Sequence, residues 1–117
     1  MMTEERDYLV YLEDILDAIK KGTEFISDIS FEKFEEDEKT QYALIRAIEI
    51  IGEASKKIPN EIKAEYSGIP WREISGMRDK LIHDYFGVNT EVIWKTAIED
   101  FPSLQTYIEK IVIDLKP

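Results

Sequence analysis

In "LIRAIEIIGEASKKI", residues 44–58, apolar side chains return every three or four positions: Leu44, Ile48, Ile51 and Ile58, with Ser55 holding the remaining place in the stripe. That is the period of one face of an α-helix. A second stripe beside it, Ile45, Glu49, Gly52 and Lys56, is half polar. Together they predict a long helix from about Asp37 to Ile58 with one buried and one wetter edge, broken by Pro59-Asn60.

The same period extends in both directions. Leu9, Leu12, Leu16 and Ile19 form a stripe on an N-terminal helix expected to end near Lys20-Lys21-Gly22, where two lysines suit the helix dipole and glycine suits a left-handed cap. Thr23 to Ser30 then reads as a connection with Phe25, Ile26 and Ile29 tucked beneath it, followed by a short helix from Phe31 to Glu36. Beyond the long helix, "NEIKAEYSGI" predicts a short helix capped by Asn60. Pro70 opens another, whose buried face is Trp71, Ile74, Met77, Leu81 and Ile82. Asn89 or Thr90 caps the last helix. Ile93, Ala97, Phe101, Leu104, Ile108, Ile111 and Leu115 keep phase along it. Pro102 interrupts that run, so a kink is expected, with the helix resuming on the same axis. No segment alternates like a strand. The prediction is an all-α, antiparallel bundle of four to five helices, with residues 1–117 as one domain.

Composition narrows the function. There is no cysteine and one histidine, which removes disulfides and argues against a zinc site within one chain. No apolar run approaches a membrane span, and the acidic N-terminus does not resemble a signal peptide, so a cytoplasmic protein is expected. Net charge is −10, which weighs against a general nucleic-acid coat protein. The charge is unevenly spread. Residues 1–53 carry 6 basic and 15 acidic side chains, whereas residues 54–88 carry 6 basic and 5 acidic. The one segment that is not acidic holds the histidine.

That histidine lies in "SGMRDKLIHDYFGV", residues 75–88. On a helix Asp79 and His83 are one turn apart and can meet, so the carboxylate can fix the imidazole tautomer and raise its pKa. Arg78 and His83 are five apart, about 140° around the axis, so a regular helix does not aim both at one point. A long arginine reach with unwinding near Asp84 reconciles them; so does a meeting of side chains from two molecules across a symmetry axis. The residue types suit RNA phosphodiester transfer. Histidine takes or gives protons near neutral pH, and the guanidinium fork matches phosphate oxygens. Two symmetry-related histidines could divide the acid and base roles without a metal. The plainer alternatives are a histidine serving the helix dipole and a Tyr85 that packs the helix end.

The arrangement of Arg78, four residues, His83, one residue and Tyr85 resembles the signature of HepT-like toxins in the HEPN superfamily, with Asp79 at the superfamily's polar position. "RAIEIIGEASKKIP", "IPWREISGMRDKLIHDYFGV" and "VIWKTAIEDFPSLQ" extend the similarity over roughly residues 5 to 115. The resemblance implies the toxin of a prokaryotic toxin–antitoxin module: a homodimeric, metal-independent endoribonuclease with Arg78 and His83 as the catalytic pair, beside which the helical spacing gives Asp79 an orienting role. It implies a minimal nucleotidyltransferase antitoxin as partner, which uses ATP to place AMP on Tyr85. The competing reading is a non-catalytic helical module that positions substrate for a nucleotidyltransferase.

Overall fold

The computed structural model describes residues 2–83 and 89–115, with side chains for residues 8–77, 79 and 89–115. Helix α1, Met2–Ile26, does not stop at Gly22 but runs a full turn beyond it. Its buried stripe is Tyr8, Leu12, Ile15, Ile19, Gly22 and Ile26, so Leu9 and Leu16 sit at the edge of the face rather than on it. Gly22 is therefore no cap. A Cβ there would lie 2.7 Å from Phe101 Cε2 and 3.2 Å from Leu44 Cδ1, because three helices converge on this point. Absence of a side chain, not freedom of φ, is what the position needs. Continuing the helix also turns Ile26 inward and leaves Phe25 exposed rather than tucked under a connection.

Helix α2, Phe31–Glu36, is capped by Ser30, whose hydroxyl accepts from the Lys33 amide. Asp37 then caps α3, Glu38–Lys56, by accepting from the Thr40 amide at 3.1 Å. Hydrogen bonds from Thr40 hold the Asp37 carboxyl below its usual pKa. Gln41 is buried, and its amide donates to the Phe34 and Glu35 carbonyls, which satisfies the end of α2. The expected stripe of α3 is buried at Leu44, Ile48, Ile51 and Ser55, and Ile58 joins it just past the helix end.

Helix α4, Asn60–Glu65, begins one residue earlier than expected. Pro59 holds the N-cap position, and Asn60, already helical, makes no side-chain cap. At the other end of α4 the Tyr66 hydroxyl donates to Asp114 Oδ2 at 2.6 Å, tying it to the C-terminal helix. That bond, with the carboxylate's charge, pushes the phenol up to about 12. A raised folded pKa means the stabilisation is whole below the unfolded value near 10 and is lost as pH climbs through about 12. Tyr66→Phe should therefore lose some stability at neutral pH and show a shallower decline above pH 10, read by denaturant titration across that range.

Helix α5, Trp71–His83, packs on α3, with Trp71 and Ile74 buried and the Trp71 indole donating to the Tyr66 carbonyl. The expected burial of Leu81 and Ile82 and the expected helix end at Phe86-Gly87 lie outside the described residues. Asn89 caps α6, Thr90–Lys95, by accepting from the Val92 amide. A π-helical turn, Thr96–Asp100, follows and leads into α7, Phe101–Leu115. Here the Phe101 amide reaches back to the Thr96 carbonyl, and Pro102, next in the chain, has no N–H to give. The wider turn spares the Ile98 carbonyl a clash with the proline ring. Phase survives it: Ile93, Ala97, Phe101, Leu104, Ile108 and Ile111 are all buried. Helix α1 packs against both α3 and α7, so the molecule is an all-α bundle built on four main helices. No helix among the described residues is long and apolar enough to cross a membrane.

Candidate active site

Helix α5 carries Arg78, Asp79 and His83, and it packs against α3. Ser55 is completely buried, yet polar. Its hydroxyl donates to the Gly52 carbonyl at 2.9 Å and lies 3.0 Å from the Ser75 hydroxyl. With the one proton of Ser55 on Gly52, Ser75 donates in the second bond. A hydrogen bond of this kind contributes about 0.5–1.5 kcal/mol net, so it favours one rotational setting of α5 against α3. One residue on in α3, Lys56 Nζ lies 3.8 Å from Asp79 Oδ2, one turn beyond Ser75 on α5. The two side chains are 45% and 53% exposed.

Asp79 is thus drawn toward α3, a partner that spacing along one helix does not reveal. Its position one turn ahead of His83 is preserved, because α5 remains α-helical through His83. Arg78 precedes Asp79 on the same regular backbone. Arg78 and His83 consequently start about 140° apart around the axis, and no unwinding before His83 relieves that separation. The side chains of Arg78 and His83 are outside the description, and Tyr85 lies wholly outside the described residues.

Around this point the described cations are spread over α3, α4 and α5. Lys57 lies over the Tyr11 ring at 5.4 Å and Lys63 over Trp71 at 6.0 Å. Arg72 is exposed. Between α5 and the α6–α7 run is a cavity of about 520 Å³, with Ile48, Ile74, Met77 and Leu104 among its apolar walls and Glu73 and Asp100 at its polar positions. Apolar walls with carboxylates do not suit a phosphate backbone. On the α3–α5 side, Lys56 meets Asp79.

The ribonuclease HepT-like family model matches residues 15–111. The chain belongs to that family. This HepT-like protein is 57% identical over 107 residues to a protein named "Probable ribonuclease HepT" of Thermococcus cleftensis, covering 92% of this chain and 97% of the relative. It is 44% identical over 112 residues to a "Putative RNase" of Methanocaldococcus jannaschii, covering 96% of this chain and 97% of the relative. A third relative, with the same style of name, comes from Caldanaerobacter subterraneus and is 46% identical over 102 residues, covering 87% of this chain and 91% of the relative. No solved structure matches the chain significantly.

Sequence reasoning placed Ser55 on the buried stripe and Lys56 on the half-polar stripe beside it; it did not pair either with α5. Nothing in the spacing along α3 carries that signal, since it depends on where a helix twenty residues away crosses.

Proposed function

We propose that this HepT-like protein is the toxin of a toxin–antitoxin module and acts as a metal-independent endoribonuclease. The observation that carries the reading is family membership over residues 15–111, together with the Arg78–Asp79–His83 arrangement on α5 of this chain. Cleavage begins when a base takes the proton of a ribose 2′-hydroxyl, whose oxygen attacks the adjacent phosphorus. An acid protonates the departing 5′-oxygen, and positive charge offsets the phosphorane. His83 supplies the proton roles and Arg78 the charge, while Asp79 orients the imidazole.

One imidazole does not readily serve as acid and base in the same step. Two copies of the chain supply two, and the wide angular separation of positions 78 and 83 on a regular helix supports the same arrangement. In a twofold dimer, Arg78 from one protomer and His83 from its partner can approach one phosphate from different helices.

The second part of the proposal concerns control. A minimal nucleotidyltransferase antitoxin, with ATP as donor, attaches AMP to Tyr85. The added phosphate then sits two residues from His83, competes with RNA phosphate for Arg78, and its purine obstructs the cleft. Two measurements test this. The purified chain should cleave single-stranded RNA in the presence of a chelator, and chelator-sensitive cleavage would remove the metal-free mechanism. Incubation with a cognate minimal nucleotidyltransferase and ATP should add mass in AMP units and stop cleavage, with Tyr85→Phe resisting both. A full mass shift on the Tyr85→Phe protein would put the modification elsewhere.

A further inference from the structure

We propose that Lys56 contacts the RNA phosphate backbone beside the cleavage site, an inference that rests on the ribonuclease reading. A chain of net charge −10 must gather cations locally before it can hold a polyanion. Lys56 is delivered to that place from a different helix than the motif. The fully buried Ser55 is hydrogen-bonded to Ser75 at 3.0 Å, and this contact fixes where the next residue of α3 emerges along α5. Lys56 Nζ accordingly lies 3.8 Å from Asp79 Oδ2, beside Arg78 in the chain and one turn before His83.

Distance and exposure decide what this ammonium is free to do. A hydrogen-bonded ammonium–carboxylate pair sits at about 2.7–3.2 Å, as Lys21 and Asp17 do at 2.9 Å. At 3.8 Å, with the side chains 45% and 53% exposed, Lys56 and Asp79 attract each other without committing the ammonium's donors. Such exposed pairs contribute roughly 0–1 kcal/mol, so a phosphate oxygen can take over the ammonium at little cost. Five other described cations are placed differently. Lys21–Asp17, Arg46–Glu49 and Lys95–Glu91 each stay within one helix, and Lys57 and Lys63 lie over aromatic rings. A hydrated ammonium on a flexible stem holds a phosphate as a point charge and reads no base. Lys56 therefore strengthens RNA capture without setting sequence preference.

The experiment compares Lys56→Ala, Lys56→Gln, Lys56→Arg and Asp79→Asn with the wild-type chain, using one single-stranded RNA across a salt series. Cleavage kinetics and equilibrium binding of the labelled strand are both read. Lys56→Ala and Lys56→Gln should raise KM and Kd several-fold while kcat stays within about twofold. The slope of log Kd against log salt should fall by about 0.7, as expected for one lost phosphate contact to a single strand. Lys56→Arg should recover most of the binding. Unaltered KM, Kd and salt slope in an enzyme that still cuts RNA would sink the Lys56 contact alone. A drop in kcat that Asp79→Asn reproduces, without addition in the double variant, would make Lys56 a support for Asp79 instead. A wild-type chain that binds RNA through Lys56 but never cuts it would overturn the ribonuclease reading and keep the contact. One that neither binds nor cuts overturns both.

Discussion

His83→Ala is expected to slow RNA cleavage by about 10²–10⁴-fold, the usual value of a positioned proton donor or acceptor. Arg78→Ala is expected to fall in the same range, since it removes charge stabilisation at the phosphorane. Both variants should keep the helical content and melting behaviour of the parent. His83 lies three turns beyond the buried Trp71 and two beyond the buried Ile74 that fasten α5 to α3. Expression of the wild-type chain alone should arrest growth, and either variant should relieve the arrest. A His83→Ala protein as harmful as wild type would remove nuclease action as the cause of toxicity. Mixing gives a sharper test of the shared site. If each cut needs an imidazole from both protomers, dimers reassembled from equal amounts of wild type and His83→Ala retain about a quarter of the activity, the random fraction of all-wild-type pairs. Retention of half would mean that each protomer cuts independently with its own imidazole, and three quarters that either imidazole suffices at the shared site.

The second large effect is structural and centres on Gly22. Phe101 is fully buried, and its ring edge occupies the space where a Cβ on Gly22 would go, 2.7 Å away. Phe101→Ala should cost about 3–5 kcal/mol of unfolding free energy, the range for emptying a buried aromatic site. Gly22→Ala should also destabilise, by about 1–3 kcal/mol, because the methyl group must displace the ring or the Leu44 side chain, 3.2 Å off. The two changes should not add. Once the ring is gone the clash is gone, and alanine then improves on glycine in a helix interior by about 0.5–1 kcal/mol. Gly22→Ala in the Phe101→Ala background is thus expected to be neutral or stabilising, measured by a double-mutant cycle in denaturant. Simple addition would show that the ring is not what excludes a side chain from position 22.

Gly22 also marks the limit of sequence reading in this fold. Lysines followed by glycine are a helix-stop signal, and the reasoning was local. The stop did not occur because the chain needed closeness to α3 and α7 at that point, and glycine supplies it. A similar override moved the cap of α4 from Asn60 to Pro59. Where the signal was purely local, it was legible. The stripe Leu44, Ile48, Ile51, Ser55 and Ile58 is buried throughout, and Asn89 caps α6 as its position suggested. The candidate site divides in the same way. Arg78, Asp79 and His83 stand out by spacing along one helix, and the chemistry proposed for them rests on that spacing and on the resemblance it carries.

The sequence by itself determined the helical period, the main buried stripes, the charge contrast around residues 54–88 and the identity of the motif. These properties are set by side chains within a few residues of one another. Only the tertiary structure decided that Gly22 lies beneath Phe101, that Ser55 bonds Ser75, and that Lys56 faces Asp79. Those pairs join helices separated by twenty residues or more in the chain, and their distances depend on how whole helix faces pack. No local preference encodes that placement, because it is the shared outcome of every buried contact in the bundle.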